Sequence, residues 1–247
     1  LEFRRVLFRS MKALVHATLL AAMMCAASFN ALAQETENVN SKTIRAMSGA
    51  PATTALAAAK TALIVVDIQN EYYAGSGFRG KMVIPDGQKV LDNSKKLVEF
   101  ARKNGMPVYF VRHLGPANGP LFAEGSVYAE FHQALQPAKG DVVITKATPS
   151  AFIGTDLDAQ LKKQGIKTLI VAGLMTHMCI SSTARDAVPL GYDVLIPQDA
   201  TATRDLDDGA GGVVDHRVLQ RAALAAVADV FAEIKTTEGI LALPVTK

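Results

Sequence analysis

Residues 61–70 read TALIVVDIQN, a run of mostly apolar residues that ends abruptly at an acidic side chain. The run is continuously apolar rather than alternating, which is typical of a strand covered on both faces in a parallel sheet. Similar runs recur along the chain at residues 107–111, 142–145, 168–172, 193–196 and 231–235. The sequence therefore predicts six strands, most of them buried on both faces.

Segments with helical spacing separate these strands. Apolar stripes precede a glycine in three of them, and the segment 214–230 is rich in alanine and leucine. The residues that form the stripes are Val90, Leu91, Leu97, Val98 and Ala101, then Leu157 and Leu161, then Ala184, Ala187, Val188 and Leu190. Alternating strands and helices predict crossover connections, and hence an α/β fold: a three-layer α-β-α, doubly wound, mainly parallel six-stranded sheet. Ligands bind such sheets at the carboxyl ends of the strands.

The N-terminal part of the chain divides into three pieces ahead of this domain. Residues 1–10 precede Met11 and are interpreted as a remnant of cloning or sequence assembly. Residues 11–33 combine Lys12, an apolar stretch and a final Ala-Leu-Ala, which predicts a signal peptide. We therefore expect an exported protein, in a bacterial periplasm or secreted, with no membrane attachment after cleavage. Residues 34–60 are predicted to be a loose arm, and 61–247 the domain.

The balance of basic and acidic residues indicates which class of partner this chain is expected to bind. The chain has 26 basic and 23 acidic residues, but residues 1–33 hold four of the basic ones and one acidic one. The expected mature chain thus has 22 of each and a formal net charge of zero. It has no run of Lys and Arg able to follow a phosphate backbone, so nucleic acid is not the expected partner. The expected partner is a small-molecule substrate.

The same cleavage leaves one cysteine, Cys179. Exported proteins generally carry cysteines in pairs, so a single thiol either links two copies, is reactive, or is an inert buried side chain. The residues around Cys179 favour a reactive thiol. Cys179 follows the strand 168–172, at the turn into a helix, where free N–H groups and the helix dipole are expected to lower the pKa of a thiol.

Two further groups follow strands: Asp67 after the first and Lys146 after the third. A buried acid requires a partner. Acyl transfer requires a thiolate, a base that takes and returns its proton, and N–H donors for the carbonyl oxygen. Cys179 and Asp67 supply the first two, the turn supplies the donors, and Lys146 supplies a positive charge that stabilises the anions.

These motifs resemble the isochorismatase-like cysteine hydrolase superfamily. The resemblance runs from about Lys60 to Thr236 and is carried by Asp-x-Gln-Asn at 67–70, Lys-x-x-x-Ser-Ala-Phe at 146–152 and Gly-x-x-Thr-x-x-Cys at 173–179. It implies a Rossmann-like fold and a catalytic triad of Asp67, Lys146 and Cys179. It also implies a cis peptide between Leu174 and Met175, with an oxyanion hole formed by the N–H groups of Met175 and Cys179.

Differences within the superfamily narrow the activity. Isochorismatases, which cleave a vinyl ether, typically lack the cysteine, so its presence favours the amidohydrolase branch. Nicotinamidases carry a metal site with Asp-x-His, whereas residues 111–115 read VRHLG here. Neither a metal nor an organic cofactor is therefore expected. Family habit implies a homo-oligomer, a dimer or tetramer. The residues expected to line the substrate pocket are Gln69, Tyr73, His113, Phe152 and His177.

The sequence thus predicts a hydrolase that cleaves an amide or ureido C–N bond of a small molecule through a thioester. Within enzymes, the alternative is an isochorismatase-type vinyl ether or ester hydrolase. Two other classes stay open: a non-hydrolytic redox thiol protein, in which Asp67 and Lys146 would have no role, and a non-catalytic binding module of the same fold.

Overall fold

A computed structural model describes residues 41–75 and 78–247. The chain divides into two compact units, Leu1–Ser48 and Gly49–Lys247. Within the described part of the first unit, a short helix spans Ile44–Met47, and the Thr43 hydroxyl caps it by accepting from the Ala46 N–H at 3.1 Å. The predicted remnant and signal peptide lie outside the described residues. No helix in the described ranges is long and apolar enough to cross a membrane.

The second unit is built on one parallel sheet, which confirms the predicted fold class. Its six main strands are β1 (Thr61–Val66), β2 (Val108–His113), β3 (Val142–Lys146), β4 (Thr168–Leu174), β5 (Asp193–Pro197) and β6 (Glu233–Lys235). They lie in the order β6-β5-β4-β1-β2-β3, and Thr201–Ala202 pairs with the end of β4 as a seventh strand. The order reverses between β1 and β4, where such folds form their ligand crevice.

Helices cover both faces of this sheet. The main ones are α1 (Gly87–Lys103), α2 (Leu157–Lys163), α3 (Ser181–Ala187) and α4 (His216–Ala228), and a shorter helix spans Thr237–Leu241. Successive residues of β1 point to opposite faces. Leu63 and Val65 therefore pack in one core with α1, whereas Ala62, Ile64 and Val66 pack in the other with α2, α3 and α4. Every predicted stripe residue of α1 is buried.

Short elements complete the unit. Single turns of 3₁₀ helix span Ala58–Lys60, Asn70–Tyr72 and Val127–Ala129. Two-residue strands pair as Leu56–Ala57 with Val245–Thr246, Ala74–Gly75 with Phe78–Arg79, and Leu206–Asp207 with Val213–Val214.

The last part of the predicted arm is ordered rather than loose. The compact unit begins at Gly49, twelve residues before the predicted start of the domain. Leu56 is buried and pairs with Val245, and the Thr53 N–H donates to the Glu233 carboxylate at 2.8 Å. The Ala- and Thr-rich composition of the arm does not indicate this structure, because the residues that the arm pairs with are far away in the sequence.

Candidate active site

Strand ends bring Asp67 and Gly173 together at the point where the strand order reverses. Asp67 follows β1 directly, has a φ of +52°, and donates its N–H to the carbonyl of Val111 at 2.9 Å. Gly173 pairs with Val66 and has a φ of +122°. A Cβ at Gly173 would overlap the carbonyl oxygen of Val66, so only glycine fits here. Each of the two strand ends therefore has a residue with positive φ.

The ammonium of Lys146 joins the three predicted catalytic side chains. Lys146 is the last residue of β3, and its Nζ lies 2.7 Å from Asp67 Oδ2 and 3.4 Å from Cys179 Sγ. A third neighbour, His113 Nδ1, lies 3.3 Å from the same nitrogen. Asp67, Lys146 and Cys179 are all buried. Three residues spread over more than a hundred positions of sequence thus form one contact cluster.

Asp67 retains an unused acceptor in this cluster. Its Oδ2 accepts from Lys146, whereas its Oδ1 is buried and has no hydrogen-bond partner among the described residues. A buried carboxylate that is ion-paired through one oxygen and unpaired at the other can accept a proton from a group placed beside it. Asp67 therefore has the arrangement that a general base requires.

The thiol of Cys179 is harder to ionise than the sequence suggested. Burial raises its pKa to about 12, the negative charge of Asp67 contributes to the rise, and Lys146 opposes it. The expectation of a lowered pKa is therefore wrong. The reason for the raised pKa is the position of Cys179. It lies inside a π-helical turn, Thr176–Ile180, that directly precedes α3, and it packs in an apolar cluster. The resting group is a thiol, so attack requires proton transfer.

The turn before Cys179 has the backbone conformation that the resemblance implied. The Leu174–Met175 peptide bond is cis, and the carbonyl of Met175 accepts from the N–H groups of Met178 at 3.1 Å and Ile180 at 3.2 Å. These bonds fold the chain back over Met175. The oxyanion role of the Met175 and Cys179 N–H groups stays a prediction.

The predicted pocket residues fall into two groups. Gln69 and His113 lie beside the cluster, but Gln69 is buried, and its amide bonds to the backbone of His113 and to the carbonyl of Ala129. His177 lies two residues from Cys179, and its Nδ1 is 2.6 Å from the Thr203 hydroxyl. Burial, and then the charge of Arg204, lower the pKa of His177.

Tyr73 and Phe152 are placed mainly by packing. The ring of Tyr73 lies 4.6 Å from that of His132 and against α1 near Gly87. The ring of Phe152 stacks on Tyr192 at 5.8 Å, in the apolar cluster that includes Cys179. The Tyr73 hydroxyl is buried with no hydrogen-bond partner among the described residues, and Phe152 has no polar side-chain atom.

Tyr72 and Arg204 lie near the site although neither was among the predicted site residues. Burial raises the pKa of Tyr72, and the charges of Asp67 and Cys179 add to the rise, whereas Arg204 opposes it. The Arg204 Nε is buried without a partner among the described residues, and its side chain lines an open depression of about 260 Å³ together with Lys81. The sequence signal was weak because Arg204 follows a strand of only two residues.

One cluster has the donor types of a metal site. Ligand atoms of Asp205, Asp215 and His216 lie within 4.8 Å of one another. These atoms already have protein partners, because Asp205 accepts from His216 at 2.7 Å and Asp215 accepts from Arg217 at 2.9 and 2.8 Å. The cluster is therefore explained as an exposed ion-pair network at the start of α4.

Comparison with known proteins agrees with this fold. The sequence profile of the isochorismatase domain matches residues 61–239. An uncharacterized isochorismatase family protein, YddQ of Bacillus subtilis, is 37% identical over 73% of this chain and 98% of its own length. The secreted isochorismatase effector Isc1 of Verticillium dahliae is 35% identical over 79% of this chain and 97% of its own.

Solved structures agree as well. An isochorismatase from Pseudomonas putida, PP1826, superposes with a TM-score of 0.73 and 32% identity, covering 80% of this chain and 97% of its own. The fold and these relatives define the class of protein as a hydrolase with a three-layer α/β fold. Within that class, the chain belongs to the isochorismatase-like hydrolase superfamily. Its relatives include the ureidoacrylate amidohydrolase of Variovorax paradoxus, 30% identical over 61% of this chain and 72% of its own.

Proposed function

We propose that this chain is a cysteine hydrolase that cleaves an amide or ureido C–N bond of a small molecule through a thioester intermediate. The observation that carries the proposal is the position of the Lys146 ammonium, 2.7 Å from the Asp67 carboxylate and 3.4 Å from the Cys179 sulfur. A redox thiol or a simple binding module would give this buried ion pair no role. Burying charges is costly, and a catalytic duty explains their retention.

The first half of the reaction forms the thioester. Asp67 takes the proton of the Cys179 thiol while the sulfur attacks the substrate carbonyl carbon. Lys146 stabilises the negative charge of the sulfur and the carboxylate during transfer. The N–H groups of Met175 and Cys179 are the proposed donors to the carbonyl oxygen as it becomes negative. Asp67 then returns the proton to the departing nitrogen as the C–N bond breaks.

The second half regenerates the enzyme. Asp67, again unprotonated, takes a proton from water, and the resulting hydroxide attacks the thioester carbonyl. The C–S bond breaks, the acid product leaves, and the sulfur regains a proton from Asp67. No step needs an oxidant, a reductant or an organic cofactor. Relatives named as amidohydrolases support this chemistry, and cleavage of a vinyl ether or an ester is the alternative.

A substrate panel combined with intermediate trapping tests the proposal. Purified full-length chain is assayed on small primary amides, ureido compounds, esters and vinyl ethers, and acid-quenched samples are analysed by mass spectrometry. We expect turnover of an amide or ureido compound and an acyl mass on the peptide that contains Cys179. Cys179→Ala should lower turnover roughly ten-thousand-fold and abolish the adduct. Turnover of vinyl ethers alone, or near-normal amidase activity of Cys179→Ala, contradicts the proposal.

A further inference from the structure

The ammonium of Lys146 has one contact that the proposed reaction does not use. An ammonium carries three N–H donors and no acceptor. Three acceptors surround Nζ: Asp67 Oδ2 at 2.7 Å, Cys179 Sγ at 3.4 Å and His113 Nδ1 at 3.3 Å. The first two belong to the reaction, and the third, His113, has no role in it so far.

We propose that His113 is a positioning residue for the active site: its imidazole accepts the third N–H of Lys146 and so fixes the ammonium between Asp67 and Cys179. The inference rests on the proposed function, because it takes these two groups as the reacting ones. With all three donors engaged, the ammonium cannot rotate away from the sulfur. Without the third acceptor, one N–H would be buried and unpaired, which favours a displaced or neutral amine.

The protonation state of His113 suits this role. Because Lys146 only donates, the imidazole nitrogen that faces it must be unprotonated. Burial lowers the pKa of His113, and the positive charge of Lys146 lowers it further, whereas Asp67 and the carbonyl of Thr148 oppose the shift. Neutral imidazole is therefore the form present at neutral pH.

The backbone of His113 is held by a buried glutamine. Gln69 Oε1 accepts from the His113 N–H at 2.8 Å, and Gln69 Nε2 donates to the His113 carbonyl at 2.9 Å. The same amide nitrogen donates to the carbonyl of Ala129 at 2.7 Å. Gln69 thus holds both the backbone N–H and the backbone carbonyl of His113. A buried amide that makes these bonds indicates that the position of His113 is fixed.

The ring of His113 is supported from one side by Phe122. The two ring centroids lie 5.1 Å apart, and Phe122 has a φ of +49°, which is uncommon outside glycine. The buried carboxylate of Glu71 holds this conformation by accepting from the Phe122 N–H at 3.0 Å, and its other oxygen accepts from the Lys81 N–H at 2.7 Å. A substrate-wall histidine would not need its backbone and its ring to be fixed separately.

Alkylation of Cys179 by iodoacetamide tests this role without any amide substrate. The rate is measured on the full-length chain at fixed pH by following the Cys179 peptide in a mass spectrometer, so Cys25 does not contribute. His113→Leu removes the acceptor at similar volume and should slow alkylation about tenfold, because the thiolate loses its fixed cation. His113→Asn places an amide oxygen near the position of Nδ1 and should keep most of the rate.

A matched control separates positioning from a general effect of losing a histidine. His132 is half-buried, packs on Tyr73 and accepts from the Ala134 N–H at 3.2 Å through its Nδ1, so His132→Leu should leave the alkylation rate unchanged. If His113→Leu does not fold, as judged by circular dichroism, His113→Ala repeats the comparison. It also lacks an acceptor.

Two results would overturn the inference. The first is an unchanged alkylation rate in the acceptor-free variant, which would show that His113 does not position the ammonium. The second is equal slowing by His113→Leu and His113→Asn, which would show that the acceptor is irrelevant. Amide hydrolysis is not part of this assay. A chain that hydrolyses no amide yet shows the alkylation pattern would contradict the proposed function and leave the role of His113 standing.

Discussion

At the scale of single residues, the site combines a buried ion pair with a protonated thiol. Lys146 and Asp67 are both buried, and each would be costly in the interior without the other. The same pair acts on the sulfur in opposite directions, since Asp67 raises the pKa of Cys179 and Lys146 lowers it. The sulfur therefore becomes nucleophilic when its proton moves to Asp67, rather than by resting as a thiolate.

The raised pKa of Cys179 makes a prediction about pH. In the free enzyme, the rate of iodoacetamide alkylation should rise continuously from pH 6 to pH 10, because the thiolate fraction grows throughout that range below a pKa of about 12. Measured rates on the Cys179 peptide at half-unit intervals provide the check. A plateau reached by pH 8 would mean that the sulfur rests as a thiolate.

Replacement of Asp67 should affect activity and stability together. In Asp67→Asn the base is lost, so turnover should fall roughly a thousandfold. The Lys146 ammonium also loses its anionic partner, so the free energy of unfolding should fall by about 3–5 kcal/mol. Steady-state assays and urea unfolding measure the two effects. Asp156→Asn, at an exposed aspartate whose side chain accepts from Gln160, is the matched control and should change neither.

At the scale of elements, the site depends on how the strands end. β1 is followed by Asp67, a non-glycine residue with positive φ, and Gly173, the last residue but one of β4, lies against the backbone of Val66. Buried polar side chains then tie the following loops together, since Gln69 joins residues 113 and 129 and Glu71 joins residues 81 and 122. These bonds hold the segments that surround the crevice.

A side chain at position 173 should disrupt the end of β4. Gly173→Ala combines a φ of +122° with overlap of a backbone oxygen that cannot move aside, so we expect a loss of more than about 3 kcal/mol in the free energy of unfolding. Gly165→Ala is the matched control. Gly165 also has a positive φ, of 71°, but faces open space and should lose only about 1 kcal/mol. Urea unfolding of both variants distinguishes these values, and equal losses would contradict the close approach.

At the scale of the whole molecule, the second unit has two apolar cores separated by the sheet. Every residue of β1 is buried, and its side chains alternate between the two cores. Three histidines, His113, His132 and His177, are half-buried. Burial is the main reason why the pKa of each is lowered.

These lowered pKa values predict how stability depends on pH. In the unfolded chain the histidines take up protons as the pH falls below about 6.5, whereas in the folded chain they do so only at lower pH. The unfolded state therefore binds more protons in this window, and the free energy of unfolding should fall between pH 7 and pH 5. Urea unfolding at half-unit intervals measures the slope. A stability that rises as the pH is lowered through this window would contradict these shifts.

Export remains a prediction from residues 11–33, which lie outside the described ranges. The full-length chain expressed from Met11 in a Gram-negative host should appear in the periplasmic fraction with Gln34 as its first residue, as determined by N-terminal sequencing. Leu32→Arg leaves both small residues of the cleavage pattern in place, whereas Ala33→Leu removes one and should block processing. Uncleaved protein in the cytoplasmic fraction would contradict the prediction.

Much of the fold was predictable because its determinants are local. Continuous apolar runs mark buried parallel strands, stripes at helical spacing mark the covering helices, and alternation of the two requires crossovers. The six strands and the buried stripe of α1 were identified in this way. Asp67, Lys146 and Cys179 were also singled out from the sequence, because Asp67 follows β1 directly, Lys146 ends β3 and Cys179 lies in the turn after β4.

What the tertiary structure alone decided depends on contacts between distant residues. The protonated state of Cys179 follows from its burial beside Asp67, and the neighbour of Lys146 at His113 follows from the pairing of β2 with β3. The order of Leu56 follows from its pairing with Val245. The spacing of residues within one segment does not indicate which distant residues it will contact. The sequence by itself determined which groups stand at the strand ends, whereas the pKa of each group and its hydrogen-bond partners depend on what the completed sheet places around it.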